Sequence, residues 1–591
     1  MAILGISFSH DGSIAVLDHA GKLLFAIGEE RLNRIKSYIG FPFRGLAYVI
    51  ENGIVKPEEI TDVVIPIEQF NHHAKETMAF CLTEDKTYYD LQNDPKPAGF
   101  YINDTEYNKV SNDQEMKEYV IRKVNSLLAV HGIRAAISFV DHHLAHAACA
   151  YYSSGRDRAL AVTMDGEGDG KSATVNICEN GRIRTISSTD IYNSAGYLYS
   201  AVTVKCGFKM SRHEGKITGL AAYGDYRTTE ECFSKHVVTK EGKLHFKNQR
   251  AYSLRNRALA KLLKWFGYDY KIGGREIIER CGQLSNADLS AAVQHLLENR
   301  ISEIVSYWVD QTGINDVVVA GGVFANVKFN QRISEIPAVE SLYVFPDMGD
   351  GGNAYGAAAY LYYQRHPFVP DTSRFTNVYF GPEFDNDYIR TMLEQHSQEV
   401  EFRLSEAVEK ETAQLLANNK IVGWFQGRME YGPRALGNRS IIASPVDATI
   451  NKWLNDRMRR TEFMPFAPSC LYEYAEDLFE ITRESFKFPA NFMTITFNMK
   501  DEWAKKAPAV SHVDQTARPQ LVTKEANPKY HTLLSEYREL TGLPLFINTS
   551  FNIHEEPIVC KPEEGLYSLL HGVIDYFVCG DYICKLKKEP A

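Results

Sequence analysis

The stretches ILGISFSHDGSIAVLDHAGKLLFAIGEER, residues 3–31, and ALAVTMDGEGDGKSATVNICENGRIRTISS, residues 159–188, share one layout. In each, an apolar run ends in a polar turn with Asp-Gly, and two further apolar runs follow around a second tight turn. Apolar runs separated by such turns are typical of an antiparallel strand meander. Two such openings in one chain predict a duplicated fold, although two unrelated hairpins would give the same local pattern.

Helical patterns follow each opening, at residues 116–131 and 289–311, so that strands and helices alternate along the chain. This alternation predicts an α/β architecture. The duplicated meander resembles the ASKHA superfamily of acetate and sugar kinases, Hsp70 and actin, in which a nucleotide lies in the cleft between two halves. The resemblance implies an actin- or Hsp70-like fold for this part of the chain.

A further strand, turn and helix pattern, DVVVAGGVFANVKFNQRI at residues 316–333, supports that resemblance. The turn at Gly321 and Gly322 lets the backbone approach a ligand closely and frees amide N–H groups for an anion. It looks like the nucleotide loop of the superfamily, with Asn326 as a contact to a nucleotide hydroxyl group.

A second segment, GKITGLAAYG at residues 215–224, fits the same kind of site. Lys216 resembles a lysine that faces phosphate, and Gly219 would allow packing against adenine. The two segments together predict that ATP binds in the first part of the chain.

Three histidines stand close together in VDHHLAHAAC, where His142 and His146 lie one helical turn apart on a shared helix face. This spacing suits two imidazoles that hold one metal ion, but His143 replaces the glutamate of HExxH proteases, so a protease site is excluded. Asp165 and Asp350 are expected at strand ends that face the central cleft. Two histidines with carboxylates suit Fe(II), Mn(II) or Zn(II) better than Mg or Ca. Hydrogen-bonded core histidines are the alternative explanation.

The motifs HHLAHAACAYY, MDGEGDG, GKITGLAAYG, VAGGVFAN and GDGGNAYGAA together resemble the NodU/CmcH family of O-carbamoyltransferases. Members of this family carbamoylate natural products, and their N-terminal domain is of the ASKHA type. Iron is the implied metal, and by motif match its ligands are His142, His146, Asp165 and Asp350. The resemblance also places His10 and Asp11 close to the transferred group, where His10 orients the carbamoyl group or assists proton transfer. A structural turn histidine is the alternative.

Closely spaced arginines mark the last third of the chain, in IVGWFQGRMEYGPRALGNRSIIASP. Guanidinium groups bind phosphate and carboxylate in bidentate geometry, and the flanking glycines leave the approach open. A salt-bridged surface is the alternative. One face of SHVDQTARPQLV is polar throughout, and hydroxyl and amide side chains follow the buried strand of LPLFINTSFN. The predicted anion-binding residues in these segments are Arg428, Arg434, Arg439, Arg518, Asn548, Thr549 and Ser550.

These three segments resemble the YrdC-like domain of the same carbamoyltransferases, which makes carbamoyl adenylate from carbamoyl phosphate and ATP. The resemblance implies binding of carbamoyl phosphate or ATP phosphates by Arg434, Arg518, Asn548 and Ser550. The sequence MRRTEFMPFAPS departs from the pattern of relatives. Their lysine corresponds to Arg459 or Arg460, and Met464 replaces the arginine that they carry before Pro-Phe.

Composition restricts the class of protein and the number of domains. The 591 residues and the Pro- and polar-rich stretch at residues 366–375 predict a boundary between an ASKHA-type domain, 1–370, and a YrdC-like domain, 371–591. The net charge of -10, without a basic block, argues against a nucleic-acid partner. No signal peptide and no membrane span are visible, and ten scattered cysteines without a CxxC pair favour reduced thiols in the cytoplasm.

The resemblance to the NodU/CmcH family implies an ATP-dependent O-carbamoyltransferase that moves a carbamoyl group from carbamoyl phosphate, through carbamoyl adenylate, to a hydroxyl group of a small natural product. The implied cofactors are ATP, Fe(II) or another divalent transition metal, and Mg with the ATP. A small-molecule kinase of the ASKHA fold and a non-enzymatic nucleotide-binding regulator are the alternatives. A tRNA-modifying role would need surplus basic charge. We expect the acceptor pocket in residues 67–112 and 192–213; family members often form homodimers, but no interface pattern is visible.

Overall fold

The computed structural model describes residues 1–8, 10–70, 79, 81–82, 106–228, 230–247, 278, 284–367, 373–458, 466–553 and 555–587. The chain divides into two compact units. Unit 1 comprises Met1–Asn33 and Ser37–Arg374, and unit 2 comprises Arg34–Lys36 and Phe375–Ala591. Much of the segment expected to form the acceptor pocket, including residues 83–105, lies outside the described residues. Among the helices that are described, none is both long enough and apolar enough to cross a bilayer.

The first stretch of the sequence forms a sheet in unit 1. Its strands are β1 (Ala2–Ser7), β2 (Ser13–Leu17), β3 (Leu23–Gly28), β4 (Ile60–Ile65) and β5 (Ala136–Phe139). The strand order is β3-β2-β1-β4-β5, with an antiparallel meander β1 to β3 and with β4 and β5 parallel to β1. The apolar runs of β1 and β2 are buried along their whole length, as expected for strands covered on both faces.

The second stretch repeats this topology. Its strands are β6 (Arg158–Gly168), β7 (Lys171–Glu179), β8 (Arg182–Asp190), β11 (Asp316–Ala320) and β12 (Ser341–Val344), while β9 (Val237–Lys240) and β10 (Lys243–Phe246) form a separate hairpin. The order is β12-β11-β6-β7-β8, with β6 to β8 antiparallel and with β11 and β12 parallel to β6. The predicted duplication is therefore confirmed.

Helices connect and cover these strands. In unit 1 they are α1 (Glu30–Asn33), α2 (Phe43–Glu51), α3 (Asp113–Val130), α4 (His142–Ser154), α5 (Ala195–Lys205), α6 (Glu214–Ala221), α7 (Glu230–His236), α8 (Asn286–Thr312), α9 (Val327–Ser334) and α10 (Asn353–Arg365). Helices α4 and α10 occupy equivalent places in the two repeats, because each follows the last parallel strand of its sheet. They pack closely against each other at Gly356, where a Cβ atom would overlap the carbonyl oxygen of Ala145.

Unit 2 is built on a mixed sheet with the order β13-β22-β21-β14-β15-β20-β16-β19. Its strands are β13 (Val400–Leu404), β14 (Val422–Phe425), β15 (Arg439–Ala443), β16 (Ala467–Leu471), β19 (Gln520–Val522), β20 (Leu545–Ser550), β21 (Tyr576–Cys579) and β22 (Tyr582–Leu586), and a small ribbon pairs β17 (Phe497–Asn498) with β18 (Thr516–Ala517). Strands β14 and β15 therefore flank the loop with Arg428 and Arg434, and strands β18, β19 and β20 carry parts of the polar segments.

The helices of unit 2 cover this mixed sheet. They are α11 (Asn386–Gln395), α12 (Val408–Ala417), α13 (Ile450–Arg457), α14 (Ala475–Leu478), α15 (Lys487–Ala490), α16 (Asp501–Lys506), α17 (Pro528–Thr541) and α18 (Pro562–Leu570). Trp424 of β14, Tyr530 of α17 and Phe546 of β20 share one hydrophobic core that joins sheet and helices. The predicted α/β fold class is confirmed for both units.

Candidate metal centre and anion site

Four side chains that the sequence predicts as metal ligands lie in one cluster in unit 1. They are His142, His146, Asp165 and Asp350, and one ligand atom from each lies within 4.8 Å of the others. The Nε2 atoms of the two histidines are 3.1 Å apart, and each lies 3.3 Å from Oδ2 of Asp165 and 3.4 Å from Oδ1 of Asp350. His146 is fully buried, while the carboxyl groups remain slightly exposed.

The spacing of these atoms fits a transition-metal ion. Ligand atoms that lie about 2.0–2.2 Å from one ion are about 3 Å apart at angles near 90° and about 3.4 Å apart at tetrahedral angles. Although burial opposes protonation, Asp350 and Asp165 raise the pKa of His142 to about 9. Conversely, hydrogen bonds from His142 and His146 overcome burial and hold the pKa of Asp165 well below its usual range. The cluster thus offers two carboxylates beside two imidazoles, a set of ligand groups that suits a divalent transition metal.

The start of α4 is fixed by two aspartates. Oδ1 of Asp141 accepts a hydrogen bond from the N–H of Leu144 at 3.0 Å and caps the helix. Asp169 is buried, and its carboxylate accepts from the N–H groups of His142 at 2.8 Å, Gln69 at 2.8 Å and Glu68 at 3.0 Å. These bonds hold the first turn of α4, and with it the ring of His142, against the end of β6.

The middle histidine points away from the cluster. Nδ1 of His143 lies 2.8 Å from the hydroxyl group of Thr163, and its Nε2 lies 3.2 Å from the carbonyl oxygen of Lys171. Burial lowers the pKa of His143 to about 3, so the ring stays neutral between these two partners. His143 is thus a hydrogen-bonded core histidine and lies outside the predicted set of metal ligands.

His10 and Asp11 form an adjacent pair in the turn between β1 and β2. Nδ1 of His10 lies 3.0 Å from Oδ2 of Asp11, whose backbone adopts a left-handed φ of 50°. The charge of Asp11 raises the pKa of His10 to about 10, and the charges of Asp350 and Asp165 contribute to the same shift. The carboxylates of the cluster therefore favour the protonated form of His10 in the same direction as Asp11.

The two predicted nucleotide segments meet at Asn326. The Nδ2 group of Asn326 lies 2.8 Å from Oε1 of Gln294 and 3.2 Å from the hydroxyl group of Thr218 in α6. Asn326 also caps α9, because its Oδ1 accepts from the N–H of Lys328 at 3.1 Å. The side-chain amide of Asn326 thus links α6, α8 and α9 through hydrogen bonds. The predicted contact to a nucleotide hydroxyl group stays a prediction.

The Gly-Gly turn after β11 and the helix α6 hold the other predicted nucleotide residues. Gly321 has a φ of 106°, and a Cβ atom at Gly322 would lie 2.9 Å from Oδ1 of Asp165. The turn therefore lies directly against a predicted metal ligand. Gly219 is buried in α6, and the ammonium group of the half-buried Lys216 lies 5.6 Å from the centroid of the Phe208 ring.

Comparison with known proteins identifies the chain. A family model described as the carbamoyltransferase N-terminus matches residues 2–359, and one described as the carbamoyltransferase C-terminus matches residues 413–586. The chain belongs to the carbamoyltransferase family. It is 30% identical to nodulation protein NolNO of Sinorhizobium fredii, over 98% of this chain and 79% of that protein. An uncharacterized protein of Methanocaldococcus jannaschii is also 30% identical, over 98% of this chain and 99% of its own length.

A third relative is nodulation protein NolO of Bradyrhizobium diazoefficiens, which is 30% identical over 76% of this chain and 79% of that protein. The family models together with these relatives show that the protein is a carbamoyltransferase enzyme. The predicted family resemblance is thereby confirmed.

Two arginines of the carbamoyltransferase C-terminal segment donate hydrogen bonds to backbone carbonyl oxygens of unit 2. Arg439 is fully buried, and its guanidinium group donates to the carbonyl oxygens of Gln426, Asn438, Pro382 and Gly427 while it stacks 3.6 Å from the centroid of Phe425. Arg428 donates to the carbonyl oxygens of Phe380 and Gly381. The sequence predicts both as anion-binding residues, but the guanidinium group of Arg439 is buried among carbonyl oxygens, which closes it to an anion.

The polar residues of β20 differ in burial and in their hydrogen-bond partners. Asn548 is buried and donates to the carbonyl oxygen of Ala435 at 3.1 Å and to Oε1 of Gln520 at 2.9 Å, so it supports the Gly-Pro-Arg-Ala-Leu loop from below. Thr549 is buried, and the half-buried Ser550 donates to Oδ1 of Asn552 at 2.6 Å. Arg434 and Arg518 are half-buried, and Arg459 and Met464 lie outside the described residues.

Sequence reasoning missed Glu430, which organises the loop between β14 and β15, residues 426–438. Its Oε1 atom accepts hydrogen bonds from the backbone N–H groups of Leu436, Asn438 and Arg439, at 2.8, 2.8 and 3.0 Å. Glu430 is 3% exposed and is therefore an internal cap for the loop that carries Arg434. A glutamate in the middle of a Gly- and Arg-rich loop was the available sequence signal.

Proposed function

We propose that this carbamoyltransferase couples ATP to the transfer of a carbamoyl group from carbamoyl phosphate to a hydroxyl group of a small natural product. The observation that carries the proposal is the cluster of His142, His146, Asp165 and Asp350, which lies against the Gly-Gly turn of a predicted nucleotide loop. A divalent transition metal, for which iron is our first choice, would act there as a Lewis acid that polarises the carbamoyl carbonyl group.

The proposed reaction balances in three steps. Water first converts carbamoyl phosphate to carbamate and phosphate, because an adenylate can form only from a free carboxylate oxygen. That oxygen attacks the α-phosphorus of ATP, with Mg on its phosphates, and pyrophosphate leaves. The acceptor hydroxyl group then attacks the carbamoyl carbon, loses its proton, and releases AMP. Each carbamoylated product therefore accompanies one AMP, one pyrophosphate and one phosphate.

We assign the first two steps to unit 2 and the last to unit 1. Arg434 and Arg518 would neutralise the phosphates of ATP and carbamoyl phosphate, with Arg459 as the replacement for the lysine of relatives. In unit 1, Asp11 holds Nδ1 of His10 at 3.0 Å, which leaves Nε2 as the ring atom that exchanges a proton with the reacting groups. The same pairing favours the protonated ring, so we assign His10 as a donor toward the developing charge.

An experiment that needs no acceptor tests the adenylation half. The purified full chain is incubated with ATP, Mg, carbamoyl phosphate and labelled pyrophosphate, and label in ATP is measured. We expect exchange that depends on carbamoyl phosphate, that Arg434→Ala abolishes, and that His142→Ala leaves intact. Absence of exchange in the wild-type protein would contradict the adenylate route.

The transfer half is tested with a panel of hydroxylated small molecules. We expect one product whose mass rises by one carbamoyl group, with AMP and pyrophosphate in equal amounts, and loss of this product in His142→Ala and His146→Ala. Formation of ADP and a phosphorylated product instead would identify a kinase and contradict the proposal.

A further inference from the structure

Asn353 is a fifth polar residue at the four-residue cluster. It is fully buried at the first position of α10, and its Nδ2 atom lies 3.2 Å from Nε2 of His146. In the part of the chain that the structure describes, its Oδ1 atom has no hydrogen-bond partner. A buried amide with an unpaired oxygen is costly, and it points to a role that the protein atoms alone do not fulfil.

The surroundings of His146 indicate what that role is. Its Nε2 atom has one lone pair or one proton, yet four polar atoms approach it. They belong to His142, Asn353, Asp165 and Asp350, at 3.1, 3.2, 3.3 and 3.4 Å. One ring nitrogen cannot hydrogen-bond to four groups at once. Nearly equal separations are expected instead when all five atoms surround a common ion, and Asn353 is then part of the set.

Asn353, like the two histidines, reaches the cluster from the start of a helix. His142 and His146 are four residues apart on α4, and Asp350 and Asn353 are three residues apart across the first turn before α10. Both spacings place two side chains on one helix face. Helix α4 thus contributes His142 and His146, the turn that leads into α10 contributes Asp350, and α10 itself begins with Asn353. Asp165 of β6 completes the cluster.

Charge decides which amide atom faces an ion. The nitrogen and oxygen of an amide occupy nearly the same space, and rotation by half a turn exchanges them. An N–H group directed at a divalent cation is repelled, whereas the carbonyl oxygen is attracted. We propose that Asn353 directs its side-chain oxygen to the ion held by His142, His146, Asp165 and Asp350, as a fifth protein ligand.

This inference rests on the metal binding of the proposed function, and it narrows the choice of metal. Two imidazoles with three oxygen atoms exceed the four ligands of a tetrahedral Zn(II) site. They suit Fe(II) or Mn(II), which accept five or six ligands and keep a position open for a substrate oxygen. The sequence Asp-Gly-Gly-Asn before a small-residue helix was the signal for this residue.

The test uses Co(II) as the probe ion with the full chain stripped of metal. Affinity is measured by competition with a chelator, and coordination number is read from the visible d–d absorption of Co(II). We expect the wild-type protein to bind one Co(II) ion and to show the weak d–d absorption bands of a five- or six-coordinate ion. Asn353→Ala should weaken binding by about ten- to a hundred-fold. Asn353→Asp, which keeps an oxygen donor, should restore the affinity.

Asn176 supplies a matched control. It is a fully buried asparagine of unit 1 on β7, hydrogen-bonded to Ala161 and Thr174. Asn176→Ala should leave the Co(II) affinity and spectrum within two-fold of wild type. If Asn353→Ala matches the wild type in affinity and spectrum, the fifth ligand is disproved while the metal centre stands. If the wild-type protein takes up no Co(II), the metal centre itself is disproved, and the fifth ligand with it.

Discussion

Gly168 lies against the imidazole ring of His142 so closely that a Cβ atom at position 168 would overlap the ring. The ring can therefore reach the cluster only because β6 ends in a residue without a side chain. We expect Gly168→Ala to push His142 out of the cluster and to weaken binding of a divalent transition metal at least about ten-fold. Titration of the stripped protein with Co(II) measures this change.

Gly28→Ala is the control for that substitution. Gly28 ends β3, the equivalent of β8 in the first repeat, and an added Cβ atom would meet only the side chain of Glu30 at 3.8 Å. Metal affinity should be unchanged in Gly28→Ala. Equal affinity in Gly168→Ala and in the wild-type protein would show that His142 does not bind the ion.

The three neighbouring histidines should differ sharply in their effect on metal content. His142→Ala and His146→Ala each remove an imidazole from the cluster, so we expect less than about a tenth of the bound metal to survive dialysis. His143→Gln removes the ring that faces Thr163, and we expect it to keep the metal but to lower the melting temperature. Elemental analysis of the dialysed proteins separates these outcomes, and loss of metal in His143→Gln would contradict them.

Asp169 should matter for stability because it gathers three backbone N–H groups in a buried place. Asp169→Ala leaves these donors without their charged acceptor, and we expect a loss of about 3 kcal/mol in the free energy of unfolding. Urea unfolding of the full chain measures it. Asp190→Ala, which removes an exposed carboxylate that accepts from the N–H of Tyr192, should cost less than about 1 kcal/mol.

The cluster of His142, His146, Asp165 and Asp350 could be predicted from the sequence because part of its geometry is local. Helical spacing alone puts His142 and His146 on one face, and Asp165 stands near the end of the buried strand β6, where its carboxylate lies at the edge of the sheet. The duplicated meander was equally visible, since its turns carry Gly, Asp and Asn at matching places. What brought Asp350 to the other three was the duplication itself, which makes α10 the counterpart of α4.

Burial and hydrogen-bond partners in unit 2 were not readable in the same way. Arg434 and Arg439 stand close together in the sequence with similar flanking residues, yet the guanidinium group of Arg439 is surrounded by carbonyl oxygens. The difference depends on β15, which begins at Arg439 and turns its side chain under the loop. Asn353 was missed for a related reason, because an asparagine at the start of a helix is usually read as a cap.

Glu430 should control the activity assigned to Arg434 without contacting a substrate. Glu430→Ala removes the charged acceptor of three buried backbone N–H groups. We expect a loss of about 3 kcal/mol in stability. Glu430→Gln keeps one oxygen, so it should fold and retain part of the pyrophosphate exchange. Full pyrophosphate exchange and unchanged stability in Glu430→Ala would show that the loop with Arg434 does not need Glu430 to keep its conformation.

Acid should weaken unit 1 through the pair formed by Asp62 of β4 and Arg365, the last residue of α10. The Arg365 guanidinium donates two hydrogen bonds of 2.8 and 2.9 Å to the Asp62 carboxylate and lowers the pKa of that group below its ordinary 3.8. Because the folded pKa is the lower one, the stabilisation is complete above about pH 5 and disappears as pH falls through the folded value. We expect Asp62→Asn to cost about 1 kcal/mol at pH 6 and progressively less below pH 4. Urea midpoints across this range measure the difference, and adding Arg365→Gln to Asp62→Asn should change nothing further. A cost that stays constant down to pH 3 would mean that the carboxylate charge contributes nothing to the pair.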